Sequence, residues 1–311
     1  MTEQPVDLAQ ARSEMRSAAD RRTLDIAPPS PRFRFDLAEM EVRWEETTGT
    51  LWTFMTPMTR PSFNPAMLRD LQAWQQEIRR AVASDPDMLK YLVLGSRYPG
   101  AFNLGGDLEF VADRVEARDL GALIAYGNTC VDILYQNMMS LDLPIVTIAL
   151  IQGDAIGGGF ESALSFDVLI AERNARFSFP EQIFGMFPGV GAHAILTRRL
   201  NAAQAERLML SGRTYSAEEM HELGLVHVLA DQGKGEQAVA DYISQHGKRQ
   251  TGQYGVYRAA REINPITLDE LQRVVKIWAE TALRLQPQDI KMMRRLAAVQ
   301  ARAPQASQIS A

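Results

Sequence analysis

The chain of 311 residues is 46% hydrophobic and 23% charged, the composition of a globular protein and not of a disordered or fibrous one. Its 33 Lys and Arg against 38 Asp and Glu leave a net charge of −5, which gives no electrostatic footprint for a nucleic-acid backbone. One cysteine, Cys130, excludes an internal disulfide framework and fits a reducing compartment, and the four histidines (His193, His221, His227, His246) do not fall at metal-ligand spacing.

Residues 1–32 read as a flexible extension. The start lacks the basic and apolar segments of a signal peptide. Val6 to Leu24 has apolar positions too sparse to bury much as a helix, and Ala27-Pro28-Pro29-Ser30-Pro31 reads as a linker. No run approaches the roughly 20 apolar residues of a membrane span, so the chain is expected to be soluble and cytoplasmic. Met40–Glu46 and Thr50–Thr56 then predict a hairpin, joined at Thr47-Thr48-Gly49. Pro65 to Val82 carries Met67, Leu68, Leu71, Trp74 and Ile78 at helical spacing, with Asn64 as cap.

Tyr91–Gly95 is a short buried-strand pattern, Leu120–Met139 a long helix, and Ile145–Ile151 an all-apolar strand. A helix begins at Phe160 and a further strand covers Val168–Ala171. This alternation predicts βαβ units around a mainly parallel sheet. From about Ala202 the pattern is helical, over Ala202–Leu210, Ala217–Leu223, Gly235–Gln245, Leu268–Leu285 and Gln288–Ala301. The expected organisation is therefore the extension 1–32, an α/β core over 33–200 and a helical region over 201–311.

Three glycine-containing segments follow expected strand ends: Ala101–Asp107, Gln152–Glu161, and Phe179-Pro180-Glu181 with Phe187-Pro188-Gly189-Val190-Gly191. Glycine lets backbone N–H groups approach a ligand unobstructed. Two amides converging on one carbonyl oxygen would stabilise negative charge developing there. One such cluster alone is more readily a packing turn, and the glycines at 153, 157, 158 and 159 do not fit the dinucleotide fingerprint. Glu161 and Glu181 lie among apolar neighbours. They are either surface glutamates at element ends or a functional pair, one ionised as base and one held protonated as acid.

Gly157–Glu161, Phe179–Glu181, Phe187–Ala192, Ser211–Glu219 and Gly224–Val226, in that order and at those intervals, resemble the crotonase (enoyl-CoA hydratase/isomerase) superfamily. The resemblance covers roughly residues 40 to 300. It implies a crotonase-like ββα spiral core with a helical C-terminal portion, oxyanion-hole amides from Gly106 and Gly158, Glu161 and Glu181 as catalytic residues, and no cofactor. It also implies a homotrimer or a dimer of trimers.

Within the superfamily, Phe102-Asn103-Leu104-Gly105-Gly106-Asp107 is similar to the bacterial synthases of the diffusible signal factor, a cis-2-unsaturated fatty acid of cell–cell communication. Arg261–Asn264, Ile277-Trp278 and Thr281-Ala282 are similar to the same group. That likeness implies dehydration of a 3-hydroxyacyl-[acyl carrier protein] to the cis-2-enoyl thioester, then hydrolysis to the free acid. By analogy Glu181 removes the α-proton and Glu161 protonates the departing hydroxyl. The alternatives are an enoyl-CoA hydratase/isomerase acting on CoA thioesters, or a regulatory binding protein for a sensor kinase. Gly105, Ile156, Gly157, Trp278, Met293 and Leu296 are the expected substrate-binding residues. Lys291, Arg294 and Arg295 form either a docking patch for an acidic carrier or a solvated helix face.

Overall fold

The computed structural model describes residues 33–300; the helix expected within Val6–Leu24 lies outside them. Strands β1 (Met40–Glu45) and β2 (Thr50–Met55) form the expected hairpin, registered from Met40↔Met55 to Glu45↔Thr50. Helix α1 (Pro65–Val82) begins where Asn64 accepts the amides of Ala66 and Met67 on its side chain, and it buries Met67, Leu68, Leu71, Trp74 and Ile78.

Strands β3 (Tyr91–Ser96), β5 (Val146–Ile151), β7 (Val168–Glu172) and β10 (Val228–Ala230) run parallel beside the hairpin, giving the order β1-β2-β3-β5-β7-β10. Every residue of β2, β3, β5 and β7 is buried, because helices cover both faces and an apolar run is the only pattern that suits both. Tyr91, Val93, Val146 and Ile148 belong to one core with Val239 and Ile243 of α8 (Gly235–His246). Leu92, Leu94 and Ala149 belong to the other, with α1 and α3 (Leu120–Met138).

A second sheet has the order β4-β6-β8-β9, from Ala101–Asn103, Asp154–Ile156, Arg176–Ser178 and Thr214–Ser216. Its first three strands are parallel and only β9 is antiparallel. The remaining helices are α2 (Leu108–Glu116), α4 (Gly158–Leu164), α5 (Ala192–Arg199), α6 (Ala202–Leu210), α7 (Ala217–Glu222), α9 (Gln250–Ile263), α10 (Leu268–Ala282) and α11 (Pro287–Gln300). The fold is α/β with a helical C-terminal portion. The structure differs from the expected division at 200/201 in one respect: β9 and β10 come from beyond it yet extend both sheets. Three-residue strands are too short to display a period of two. Helix α9 lies outside the helical segments expected from sequence; it buries only Gln250 and meets the core through half-buried Tyr254 and Tyr257, too thin a stripe to mark it. No helix of the described residues is long and apolar enough to cross a membrane.

Asp167, at the entry to β7, holds this core together. Its Oδ2 accepts the amide (3.0 Å) and hydroxyl (3.0 Å) of Thr147 and the hydroxyl of Ser140 (3.2 Å), while Oδ1 pairs with Arg261 of α9. Those bonds pin the turn Ser140-Leu141-Asp142, whose φ values of 50°, 57° and 58° are costly for residues other than glycine. Asp167→Ala removes the ion pair of Arg261, which keeps its hydrogen bond to Ser140 Oγ (2.6 Å), and loosens the turn. It is expected to cost about 3–5 kcal/mol, measured by urea unfolding; a loss within experimental error would show that the turn holds by itself.

Candidate active site

The three glycine segments meet because β4, β6 and β8 lie side by side, pairing Asn103↔Ala155 and Ile156↔Ser178. Each strand releases one part of the site at its C-terminal end: Gly105 and Gly106 after β4, Gly157 and Gly158 after β6, and Glu181 after β8. They border a cavity of about 840 Å³, counting its mouth, lined by Gly106, Gly158, Glu161, Glu181 and mostly apolar side chains.

The backbone of the first segment is tied nearly everywhere. The Leu104 amide donates to Pro61 O (2.7 Å), that of Gly105 to Asn103 Oδ1 (2.8 Å), and that of Asp107 to the Tyr126 hydroxyl (2.9 Å). The Gly106 amide, between them, has no partner among the described residues, and neither has that of Gly158 at the first turn of α4. The two approach closely, since a methyl group built on Gly158 would lie 3.5 Å from the Gly106 nitrogen.

Glu161, 2% exposed, projects from α4. Its Oε1 accepts three consecutive amides, Val190 (3.0 Å), Gly191 (2.8 Å) and Ala192 (2.8 Å), where the Phe187–Ala192 motif opens α5. Burial raises its pKa and the three amides oppose that, leaving it at about 7. Glu181 opens the 3₁₀ turn Pro180–Phe184. Burial, and then the charge of Glu161, raise it to about 8. Its Oε2 is buried without a hydrogen-bond partner among the described residues. Three donors face one carboxylate and none reaches the orphaned oxygen of the other, so a single proton shared by the pair resides on Glu181. Beside them burial pushes the Cys130 thiol up to about 12, so it stays protonated.

Both carboxyls have the ordinary value of 4.5 when unfolded and higher values when folded. The folded chain therefore binds more protons between pH 4.5 and 8, and their contribution to stability, complete below 4.5, is lost as pH rises through 7 and 8. His227, lowered to about 4 by burial from 6.5, acts in the opposite sense below 6.5. Above that value the carboxyls dominate. The unfolding free energy is expected to fall by roughly 1–3 kcal/mol from pH 6.5 to 8.5, and the slope to vanish in the Glu161→Gln/Glu181→Gln variant. Urea titrations at the two pH values measure it; equal slopes in parent and variant would place the charges elsewhere.

Of the residues assigned to substrate from sequence, Trp278 and Met293 line the cavity, and Gly105 and Gly157 abut its donors. Ile156 and Leu296 are not among its lining residues. Ile156 ends β6, and Leu296 packs half-buried against the main core. Arg294 is engaged by Asp113 (2.8 Å) and Glu116 (2.7 Å) of α2, so the basic cluster on α11 is not a patch of three unpaired cations. Sequence reasoning missed Tyr126 and the amides of residues 190–192. A tyrosine inside an apolar helix reads as core, and the Phe187–Ala192 glycines were assigned to a ligand when they serve Glu161.

The chain belongs to the enoyl-CoA hydratase/isomerase family, whose sequence model matches residues 51–247. It is 34% identical over 204 residues to the Mycobacterium leprae protein named "Probable enoyl-CoA hydratase echA8", covering 64% of this chain and 73% of that one. Other matched relatives are spanned over 48–65% of their length. Among solved structures, an enoyl-CoA hydratase/isomerase from Xanthobacter autotrophicus Py2 superposes with a TM-score of 0.68 at 20% identity, over 85% of this chain and 97% of that one. Pseudomonas aeruginosa DspI does so with 0.59 at 24%, over 85% and 97%. At such identities the likeness is one of fold.

Proposed function

We propose that this protein adds water reversibly across the 2,3 double bond of an enoyl thioester whose acyl chain occupies the apolar cavity. The observation that carries the reading is the pair of unpartnered amides, Gly106 and Gly158, bordering the same cavity as two carboxyls of unequal protonation. The thioester oxygen takes both N–H groups, which stabilise the enolate formed when C3 is attacked. Ionised Glu161 takes a proton from the attacking water, and protonated Glu181 delivers one to C2. In reverse, Glu181 removes the α-proton and Glu161 protonates the leaving hydroxyl.

The finer reading, a diffusible-signal-factor synthase, is supported by the likeness of Phe102–Asp107 to that group, a loop in which Asn103 Oδ1 accepts the Gly105 amide. It adds a hydrolytic step in which one carboxylate activates water against the carbonyl held in the same hole, and a carrier protein in place of CoA. Purified protein given 2-enoyl-CoA and, separately, 3-hydroxyacyl carrier protein decides between them by mass spectrometry. Hydrated CoA thioester alone supports the hydratase, free cis-2-enoic acid supports the synthase, and no turnover of either removes both.

A further inference from the structure

We propose that Tyr126 is a positioning residue that aims the Gly106 N–H at the substrate oxygen by clamping the backbone on both sides of that peptide. The inference deepens the reading given above and rests on it. From α3 the Tyr126 hydroxyl donates to Phe63 O (2.8 Å) and accepts from the Asp107 amide (2.9 Å). Phe63 in turn donates its own amide to Gly105 O (2.8 Å).

The Gly105–Gly106 peptide is planar, so its C=O and N–H point in opposite directions. Holding Gly105 O against Phe63 therefore turns the Gly106 N–H away from Phe63. Backbone pairing of Phe63 with Gly106 sets that orientation, and the hydroxyl reinforces it by tying the next amide, Asp107, to Phe63 O. Two consecutive glycines give the segment little stiffness of its own. The ring is nearly buried, 9% exposed, and Phe110 packs beside it with centroids 5.1 Å apart, while the two hydrogen bonds of the hydroxyl set its orientation. A methyl group built on Gly106 would lie 3.3 Å from the hydroxyl oxygen, so the clamp sits beside the donor, with Tyr126 itself among the residues that line the cavity. Phenylalanine would fill the same space; the hydroxyl is needed for the bridge. Burial raises its pKa well above the usual tyrosine value, so it remains a donor to Phe63 O.

The test is Tyr126→Phe in the full-length protein, with three readouts. Turnover of 2-enoyl-CoA is expected to fall about 10- to 100-fold in kcat with KM within about twofold, since a displaced donor weakens the transition state more than the ground state. Affinity for a 3-oxoacyl-CoA, read from its enolate absorbance, is expected to fall by a similar factor while affinity for a saturated acyl-CoA is kept. Amide exchange across residues 104–107 is expected to quicken about tenfold. Phe110→Leu removes packing from the same ring but no hydrogen bond. It should lower stability and leave kcat and the enolate preference near those of the parent.

Parental kcat, enolate affinity and exchange in Tyr126→Phe would overturn the proposal. So would a Phe110→Leu variant with the same kcat loss, which would reduce Tyr126 to packing. A parent that neither turns over nor binds the enolate overturns the hydratase reading instead. Exchange at 104–107 then decides the clamp by itself, supporting it if faster in Tyr126→Phe and overturning it if unchanged.

Discussion

Glu181→Gln is expected to lower kcat for hydration of an enoyl thioester by about 10³–10⁴-fold while leaving the fold intact, and Glu161→Gln by at least about 10²-fold. The two losses have different causes. A glutamine at 181 cannot give up a proton to C2, so the enolate held by the two amides has no partner with which to collapse to product. A glutamine at 161 keeps an oxygen for the amides of Val190, Gly191 and Ala192, so α5 stays in place, but it can no longer take a proton from water. The pH profile separates them further. The productive form carries Glu161 ionised and Glu181 protonated, so kcat/KM in the hydration direction is expected to peak between about 7 and 8. Residual activity of Glu161→Gln should lose the acid limb, and its alkaline limb should move to lower pH because the charge that raises Glu181 is gone. Glu181→Gln should lose the alkaline limb. Stopped-flow rates from pH 5.5 to 9.5 provide the check, and unaltered kcat in either variant would remove that carboxyl from the chemistry.

These residues were visible in the sequence; the way they meet was not. Strands such as Val146–Ile151 and helices such as Pro65–Val82 announce themselves through an apolar run interrupted only at Thr147, a helical stripe and a cap, because their burial is set by layers that every α/β fold shares. β4, β6 and β8 have three residues each, too few for any period, yet their parallel register carries Gly106, Gly158 and Glu181 to one cavity. Leu296 and Met293 are expected together at the substrate; three residues apart on one helix, Leu296 packs half-buried against the main core and only Met293 lines the cavity. The contribution of Tyr126 depends on two backbone groups 63 and 19 residues away, Phe63 O and Asp107 N, and no local pattern encodes such a bridge.

Gly105→Ala should be nearly as damaging as loss of a carboxyl, although residue 105 contributes no group to the reaction. Its φ of +90° is one that L side chains rarely adopt, and a methyl group there would lie 2.9 Å from both the Gly158 nitrogen and Ile156 O. Both contacts are backbone atoms that cannot swing aside, so the loop and the first turn of α4 must separate, and with them the two amides. The expected loss is about 10²–10³-fold in kcat, the effect of removing one oxyanion donor, together with a stability cost of about 1–2 kcal/mol from the left-handed backbone. Gly157→Ala strikes the other half of the site, with φ at +53° and the methyl 2.5 Å from Glu181 Oε1, so it displaces the proton donor and should change the alkaline limb as well as the rate. Gly158→Ala is the informative contrast. Its methyl would meet its nearest neighbour, Gly105 Cα, at 3.4 Å, an ordinary contact, and its amide remains available. Activity close to that of the parent in Gly158→Ala beside inactive Gly105→Ala would locate the constraint in the gap between the two amides; parental kcat in Gly105→Ala would mean that the gap does not hold the thioester oxygen.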